Sequence, residues 1–394
     1  MPLGAGLSFD LGQGFAYGAP PDTCLMQSPD MNQSPTPQAG ILNIDPYVPG
    51  KSAAPHGVTP VKLSANESPL GASPAAIAAF RAVSQGLSSY PDGSCRALRE
   101  AIGEVHGLDA ERIVVGAGSD EILHLLAQSY LGEGDEAVIS RYGFAVYPIV
   151  TLGAGATPVF AETRDYGVDV DAMLAAVTPR TRMVFLDNPN NPTGTCLSGA
   201  EVRRLHAGLP PEVLLVVDNA YAEYVTAGDF ETGADLAATS ANVVMVRTFS
   251  KMGLAALRVG WMFGPAPVVD VLNRLRGPFN VSVPGQAAAA AAVRDVAFTR
   301  ALCDHNAHWR EWLSSELGSN HLRVLPSQGN FILVLFPDEP GLTAADANAA
   351  LLARGLIVRE MTGYGLPQAL RISIGTEASM RAVAEVLKAF GGGK

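Results

Sequence analysis

Five short apolar runs, rich in β-branched residues and each followed closely by polar ones, limit what this chain can fold into. They are RIVVGAG (112–118), EAVIS (136–140), RMVFLDNPNNPTG (182–194), VLLVVDNAYAEY (213–224) and NVVMVRTFSK (242–251). Strands without polar alternation need cover on both faces, and helix-like segments such as SDEILHLLAQSYL lie between them. That combination predicts an α/β fold with three layers, a mostly parallel central sheet between helices. GWMFGP (260–265) is expected to add an antiparallel strand at the edge.

In open sheets of this kind, ligands bind beyond the carboxyl ends of the strands. Ser119 and Asp120, Asn191, Asp218 and Tyr221, and Ser250 and Lys251 all fall just past such an end. Their convergence would build one site from residues scattered through much of the chain. The rest of the sequence narrows the partners. A net charge of −11 and a pI near 5.1 argue against a nucleic-acid binder. Cys24, Cys95, Cys196 and Cys303 form no CxxC pair, so neither a metal site nor a disulfide framework is expected, and a cytoplasmic setting is. No basic segment precedes an apolar core at the N-terminus, and AAAAAA (287–292) is far too short for a membrane span. Residues 1–40, rich in Gly, Pro, Ser and Gln, read as a flexible extension.

The motifs carry specific chemistry. GAGSDEIL offers a Gly-rich turn and a helix start, which suit a phosphate; the ordinary alternative is a plain turn with Ser119 as cap. NPNNPTG (188–194) uses two prolines to hold Asn190 and Asn191 in a loop with amides free to donate. VLLVV delivers Asp218 from an apolar run, where a carboxylate needs a cation or a strong donor unless it merely caps a helix. Tyr221 follows three residues on. Only five lysines occur, Lys51, Lys62, Lys251, Lys388 and Lys394, and only Lys251 is set in apolar sequence. Burial lowers a lysine's proton affinity and makes its amine nucleophilic, whereas a surface lysine would only snorkel. Thr248, Ser250 and Arg258 around it can bind phosphate. An amine, a phosphate cradle, a carboxylate and an Asn–Tyr pair together match pyridoxal phosphate.

From about Ile41 onward the chain resembles the fold-type I, class I/II aminotransferases, most closely their histidinol-phosphate group. NPNNPTG, DNAYAEY and TFSKMGLAALRVG carry the resemblance, with ANESPLG, YPDG, RYGFAVY, GNFILV and LRISIGT. It implies pyridoxal 5′-phosphate bound covalently to Lys251, with Asp218 at the pyridine N–H and Asn191 and Tyr221 at the phenolic oxygen. Tyr142 would stack on the ring, and Ser119, Asp120, Thr248, Ser250 and Arg258 would surround the phosphate. It also implies a homodimer in which Tyr90 reaches the neighbouring site, and a substrate pocket of Tyr47, Asn66, Asn191, Asn330, Arg359 and Arg371. The expected divisions are an N-terminal arm with part of a small domain (41–87), a large cofactor domain (88–278) and a small α+β C-terminal domain (279–394). The expected reaction is transamination of L-histidinol phosphate with 2-oxoglutarate. An aromatic amino-acid aminotransferase, an amino-acid phosphate decarboxylase and, least favoured, a regulatory cofactor-binding domain are the alternatives.

Overall fold

The computed structural model describes residues 35–38, 40–45, 57–318 and 322–391. Residues 38–394 form one compact unit. Most of the expected 1–40 extension, and Tyr47, lie outside the described residues.

The main sheet has seven strands: β1 (Ile113–Gly116), β2 (Glu136–Ser140), β3 (Thr157–Ala161), β4 (Thr181–Asp187), β5 (Leu214–Asp218), β6 (Val243–Thr248) and β7 (Gly260–Phe263). Their order is β1-β7-β6-β5-β4-β2-β3. All pairs are parallel except those of β7, which runs antiparallel to both β1 and β6. The expected edge position of GWMFGP is thus corrected: the strand is antiparallel but interior. Residues 249–259 hold no crossover helix, so β7 returns directly alongside β6 and leaves β1 at the margin. The other margin is β3, whose Pro158 and half-exposed Phe160 suit an edge and masked it as a strand in the sequence.

Among the described residues twelve α-helices accompany the strands: α1 (Pro74–Ala82), α2 (Arg96–His106), α3 (Ser119–Tyr130), α4 (Val146–Gly153), α5 (Val170–Ala175), α6 (Gly199–Gly208), α7 (Ala234–Thr239), α8 (Ala266–Leu275), α9 (Val283–Arg294), α10 (Val296–Gly318), α11 (Ala344–Ala353) and α12 (Glu377–Gly391). Alternate residues of each strand feed opposite faces. Leu215 and Val217 of β5 join a core with α1, α2, α5, α6, α7 and α9. Leu214 and Val216 join one with α3, α4 and α8. These are the three layers. Each such apolar side chain contributes roughly 1.5–3 kcal/mol on leaving water. Among the described residues no helix is long and apolar enough to cross a membrane.

A smaller α+β part carries β8 (Arg323–Val324), β9 (Phe331–Leu335), β10 (Arg359–Glu360) and β11 (Ala369–Ser373), antiparallel in the order β8-β9-β11-β10. Helices α10, α11 and α12 cover one face through Leu313, Leu351 and Val383. Against the other, Leu333 and Leu335 pack with Tyr142, Tyr166 and Tyr364. Helices α1 and α9 fall on the far side of the expected divisions after 87 and 278, yet both pack on the large sheet through Ala76, Ala288 and Ala289. Their small side chains let α1 and α9 pack closely on each other within that core, so the break between the two cores follows α9.

Candidate active site

Because β1, β4, β5 and β6 are mutually parallel in direction, their carboxyl ends open onto one cleft. It holds a cavity of about 220 Å³. Ser119, Asp120, Asn191, Asp218, Tyr221, Thr248, Ser250, Lys251 and Arg258 all line it, together with Phe144, Tyr147 and Asp187. The expected convergence of the polar strand ends is therefore present.

One end of the cleft is built for an anion. Gly118, with φ +83°, caps α3, and no side chain accepts from the helix's first N–H groups. Those donors are left open toward the cleft. The cap is the glycine, and Ser119 is the first helical residue rather than the cap. Gly260 allows this approach, since a Cβ there would lie 2.3 Å from the Ser119 nitrogen. Hydroxyls complete the cradle: Thr248 Oγ1 lies 3.0 Å from Ser250 Oγ, which also accepts from Arg258 Nη1 at 3.2 Å. Arg258 Nη2 reaches Asp120 Oδ2 at 3.1 Å. That pairing turns the Asp120 carboxylate toward the arginine, so the cradle receives this residue's backbone donor.

The floor is acidic. Asp218, ending β5, is buried, and its Oδ2 accepts from Tyr147 Oη at 3.0 Å. Burial pushes its pKa up to about 6, against the Tyr147 hydrogen bond and the charge of Lys251. Asp187, ending β4, sits in register beside it and is pushed by burial to about 7. Two buried carboxyls side by side call for a cation. In the absence of a bound cation both have folded-state pKa values above their unfolded ones, so the native state binds extra protons between about pH 4 and 7. Their contribution to stability is full at low pH and is lost as pH rises through that window. The expected result is a melting temperature of ligand-stripped protein that gains more on acidification from pH 7.5 to 5 than that of Asp187→Asn. His106, its pKa lowered to about 4 by desolvation, acts in the opposite sense in both proteins and cancels in the comparison. A difference that does not vary with pH would contradict this reading.

Lys251 Nζ hangs over the cleft, 3.3 Å from the Ala65 carbonyl and 5.7 Å from the centre of the Tyr221 ring. Tyr221 Oη accepts from Asn66 Nδ2 at 3.0 Å, which leaves the phenol proton to donate elsewhere. Burial raises its pKa to about 12, with Arg371 and Asn66 opposing. Asn66, at φ 55°, is held by Ser373 and by Asn330 Nδ2, which donates to its carbonyl at 3.0 Å. Asn191 Oδ1 is taken by Arg371 Nη1, so its amide nitrogen remains to donate. Arg371 is buried; its Nη2 donates to the Ser64 carbonyl, and its Nε has no partner among the described residues. Arg359 stands directly opposite Arg371 on the neighbouring strand.

Tyr142 and Tyr90 do not line this cleft. Tyr142 packs against Tyr166, ring centres 5.8 Å apart, and Phe144 is the nearby aromatic lining the cleft. Tyr90 is 81% exposed and stacked on Phe279, outside this cleft. Asp187, Tyr147 and Phe144 were missed in the sequence. For Asp187 a signal existed, since VFLD ends an apolar run on an acid as VLLVVD does. For the aromatics of RYGFAVY, nothing in the sequence says which ring faces inward.

The donor set fits pyridoxal phosphate: an anion cradle at one end, acids for a cationic ring nitrogen on the floor, and an amine between. Sheet order, the amine at its carboxyl edge and a small domain bringing Arg371 to Asn191 define the class, a fold-type I α/β enzyme. Residues 58–387 match the family model described as aminotransferase class I and II. Histidinol-phosphate aminotransferases of Rhodopseudomonas palustris (strain BisB18) and Nitrobacter hamburgensis are each 56% identical over 358 residues, 90% of this chain and 98% of theirs. The crystal structure of histidinol-phosphate aminotransferase from Sinorhizobium meliloti, in complex with pyridoxal-5′-phosphate, matches with TM-score 0.79 at 27% identity. The match covers 85% of this chain and 91% of that one. An aspartate aminotransferase from Rhizobium meliloti also matches, with TM-score 0.73 at 25% identity, 84% of this chain and 92% of that one. The chain belongs to the class I and II aminotransferase family.

Proposed function

We propose that this aminotransferase moves the amino group of L-histidinol phosphate to 2-oxoglutarate, using pyridoxal 5′-phosphate held covalently on Lys251. The products are imidazole acetol phosphate and L-glutamate, a step of histidine biosynthesis. The observation that carries the substrate choice is the register setting Arg359 opposite Arg371 beside Asn191. Directly opposed residues on antiparallel strands lie close enough to share one ligand, and two guanidinium groups suit a phosphate dianion. Relatives more than half identical carry the histidinol-phosphate name, which supports the same choice.

When bound, the cofactor supplies an aldehyde that condenses with amines and a cationic pyridine that withdraws electrons from the substrate's α-carbon bond. The chain does the rest. Asp218, fixed by Tyr147, would face the ring nitrogen and favour its protonated form. Asn191 Nδ2 and the Tyr221 phenol would be the donors for the phenolic oxygen. Ser119 and Asp120 through backbone N–H groups, with Thr248, Ser250 and Arg258, would hold the phosphate. Lys251 would anchor the cofactor through its amine and, when free, would serve as the general base for the proton on the substrate's α-carbon. Asn66 and Asn330 brace Tyr221 from the substrate side, and Phe144 shields the ring region from water.

We read the working unit as a homodimer. Exposed Tyr90, lying outside its own cleft, supports a role at the neighbour's phosphate. Cys95, Cys196 and Cys303 are unpaired thiols, which supports a reducing, cytoplasmic setting.

The test is a comparison of kcat/KM for histidinol phosphate and phenylalanine in the wild type and in Arg359→Gln. The variant is expected to lose about ten- to a hundredfold with histidinol phosphate, the worth of one charge-assisted contact, and little with phenylalanine. Equal losses on both substrates, or a wild type that prefers phenylalanine, would favour the aromatic aminotransferase instead.

A further inference from the structure

Asp187 has no part in the reaction as described, yet it occupies the middle of the site's wiring. It ends β4 in register with Asp218 at the end of β5, so the two carboxyls stand on adjacent strands at the same level of the cleft. Its Oδ1 accepts from Asn190 Nδ2 at 3.0 Å and its Oδ2 from the Asn191 backbone N–H at 2.9 Å. Asn191 in turn meets Arg371. Tyr147 from α4 and Tyr221 also feel its charge, and Lys251, Asp120 and Asp218 share its cavity. No lysine or arginine pairs with it directly among the described residues.

We propose that Asp187 is a positioning residue with two tasks. Its carboxyl pins the loop carrying Asn191 against Arg371, and its charge beside Asp218 makes the floor of the cleft favour a cation. The proposal rests on the reading of Lys251 as the cofactor's covalent anchor.

In an empty cleft, two buried carboxylates at adjacent strand ends repel, and a proton must be taken up to relieve them. Burial indeed raises both acids, Asp187 the more. A cofactor with a cationic ring nitrogen and a cationic link to Lys251 replaces that proton with fixed positive charge. Asp187 is then ionised in the loaded enzyme and stabilises the cationic form of the link. A loop-pinning role alone would not depend on charge, so the two tasks separate experimentally.

The experiment is a spectrophotometric pH titration of the full-length holoenzyme without substrate, following the absorbance of the lysine-bound cofactor. In Asp187→Asn the absorbance pKa is expected to fall by about half to one unit, the effect of removing one charge at a short distance through a medium of intermediate dielectric. Asp187→Glu, which keeps the charge while disturbing the loop, should recover most of that shift. Asp187→Ser serves as a second neutral variant if asparagine leaves the protein unfolded by near-ultraviolet circular dichroism. An unmoved pKa in the neutral variants, or a shift in Asp187→Glu as large as in Asp187→Asn, overturns the charge role. A wild type with no lysine-bound chromophore would overturn the anchor reading itself, which is a different failure.

Discussion

Lys251→Ala is expected to lose covalent cofactor and to fall in turnover by on the order of 10⁴-fold or more, since it removes both the anchor and the general base. The geometry explains why no neighbour substitutes. Among the described residues Lys251 is the only lysine lining the cleft, and the other cation lining it, Arg258, is engaged with Ser250 and Asp120. Arginine also stays protonated at working pH and cannot act as an amine base. Borohydride reduction followed by mass spectrometry reads the anchor directly. The wild type should retain the cofactor's mass on the peptide containing residues 248–260, and the variant should not. The backbone here should tolerate the change. The Lys251 carbonyl still accepts from Tyr224 Oη, and the Phe249 and Met252 packing is untouched. Activity is therefore expected to collapse while the melting temperature of the stripped protein barely moves.

Asp218→Asn carries the second large effect, with an opposite sign in stability. An amide of the same shape can still accept from Tyr147, but it cannot hold a proton on the ring nitrogen. A fall of about a thousandfold in kcat is expected, of the order seen when one preorganised electrostatic partner of the reacting system is lost. The ligand-stripped variant should be no less stable than the wild type at neutral pH. The wild-type carboxyl is costly to bury and its pKa is raised to about 6, so ionising it opposes folding above that pH. Steady-state kinetics and thermal unfolding of the same preparations check both halves. A variant that keeps near-normal kcat would remove Asp218 from the ring-nitrogen role.

Much of this architecture could be read from the sequence because buried parallel strands leave a plain trace. VLLVVD and NVVMVRT are apolar, β-branched and punctuated by the residues that line the cleft. Strand neighbours left no such trace. GWMFGP signals a strand, but its insertion between β1 and β6 depends on a short return connection. TPVFA went unread because an edge strand tolerates proline and exposed Phe160, which dilute the pattern. In the site, residues next to strand ends were accessible to sequence reasoning, whereas contacts across the fold were not. Asn66 to Tyr221 and Arg371 to Asn191 join positions far apart in the chain. Tyr142 and Phe144, two residues apart, show the limit most simply. One turns to Tyr166 and the other to the cleft, and local pattern does not distinguish them.

Whether Lys251 anchors a cofactor that takes the amine from histidinol phosphate is read from a half-reaction. Holoenzyme is mixed with L-histidinol phosphate alone, and the absorbance of the bound cofactor is followed before 2-oxoglutarate is added. Conversion of the lysine-bound form to the amine form, with one equivalent of imidazole acetol phosphate per site and full reversal by 2-oxoglutarate, is the predicted result. A spectrum that histidinol phosphate leaves unchanged, while phenylalanine converts it, would contradict the account.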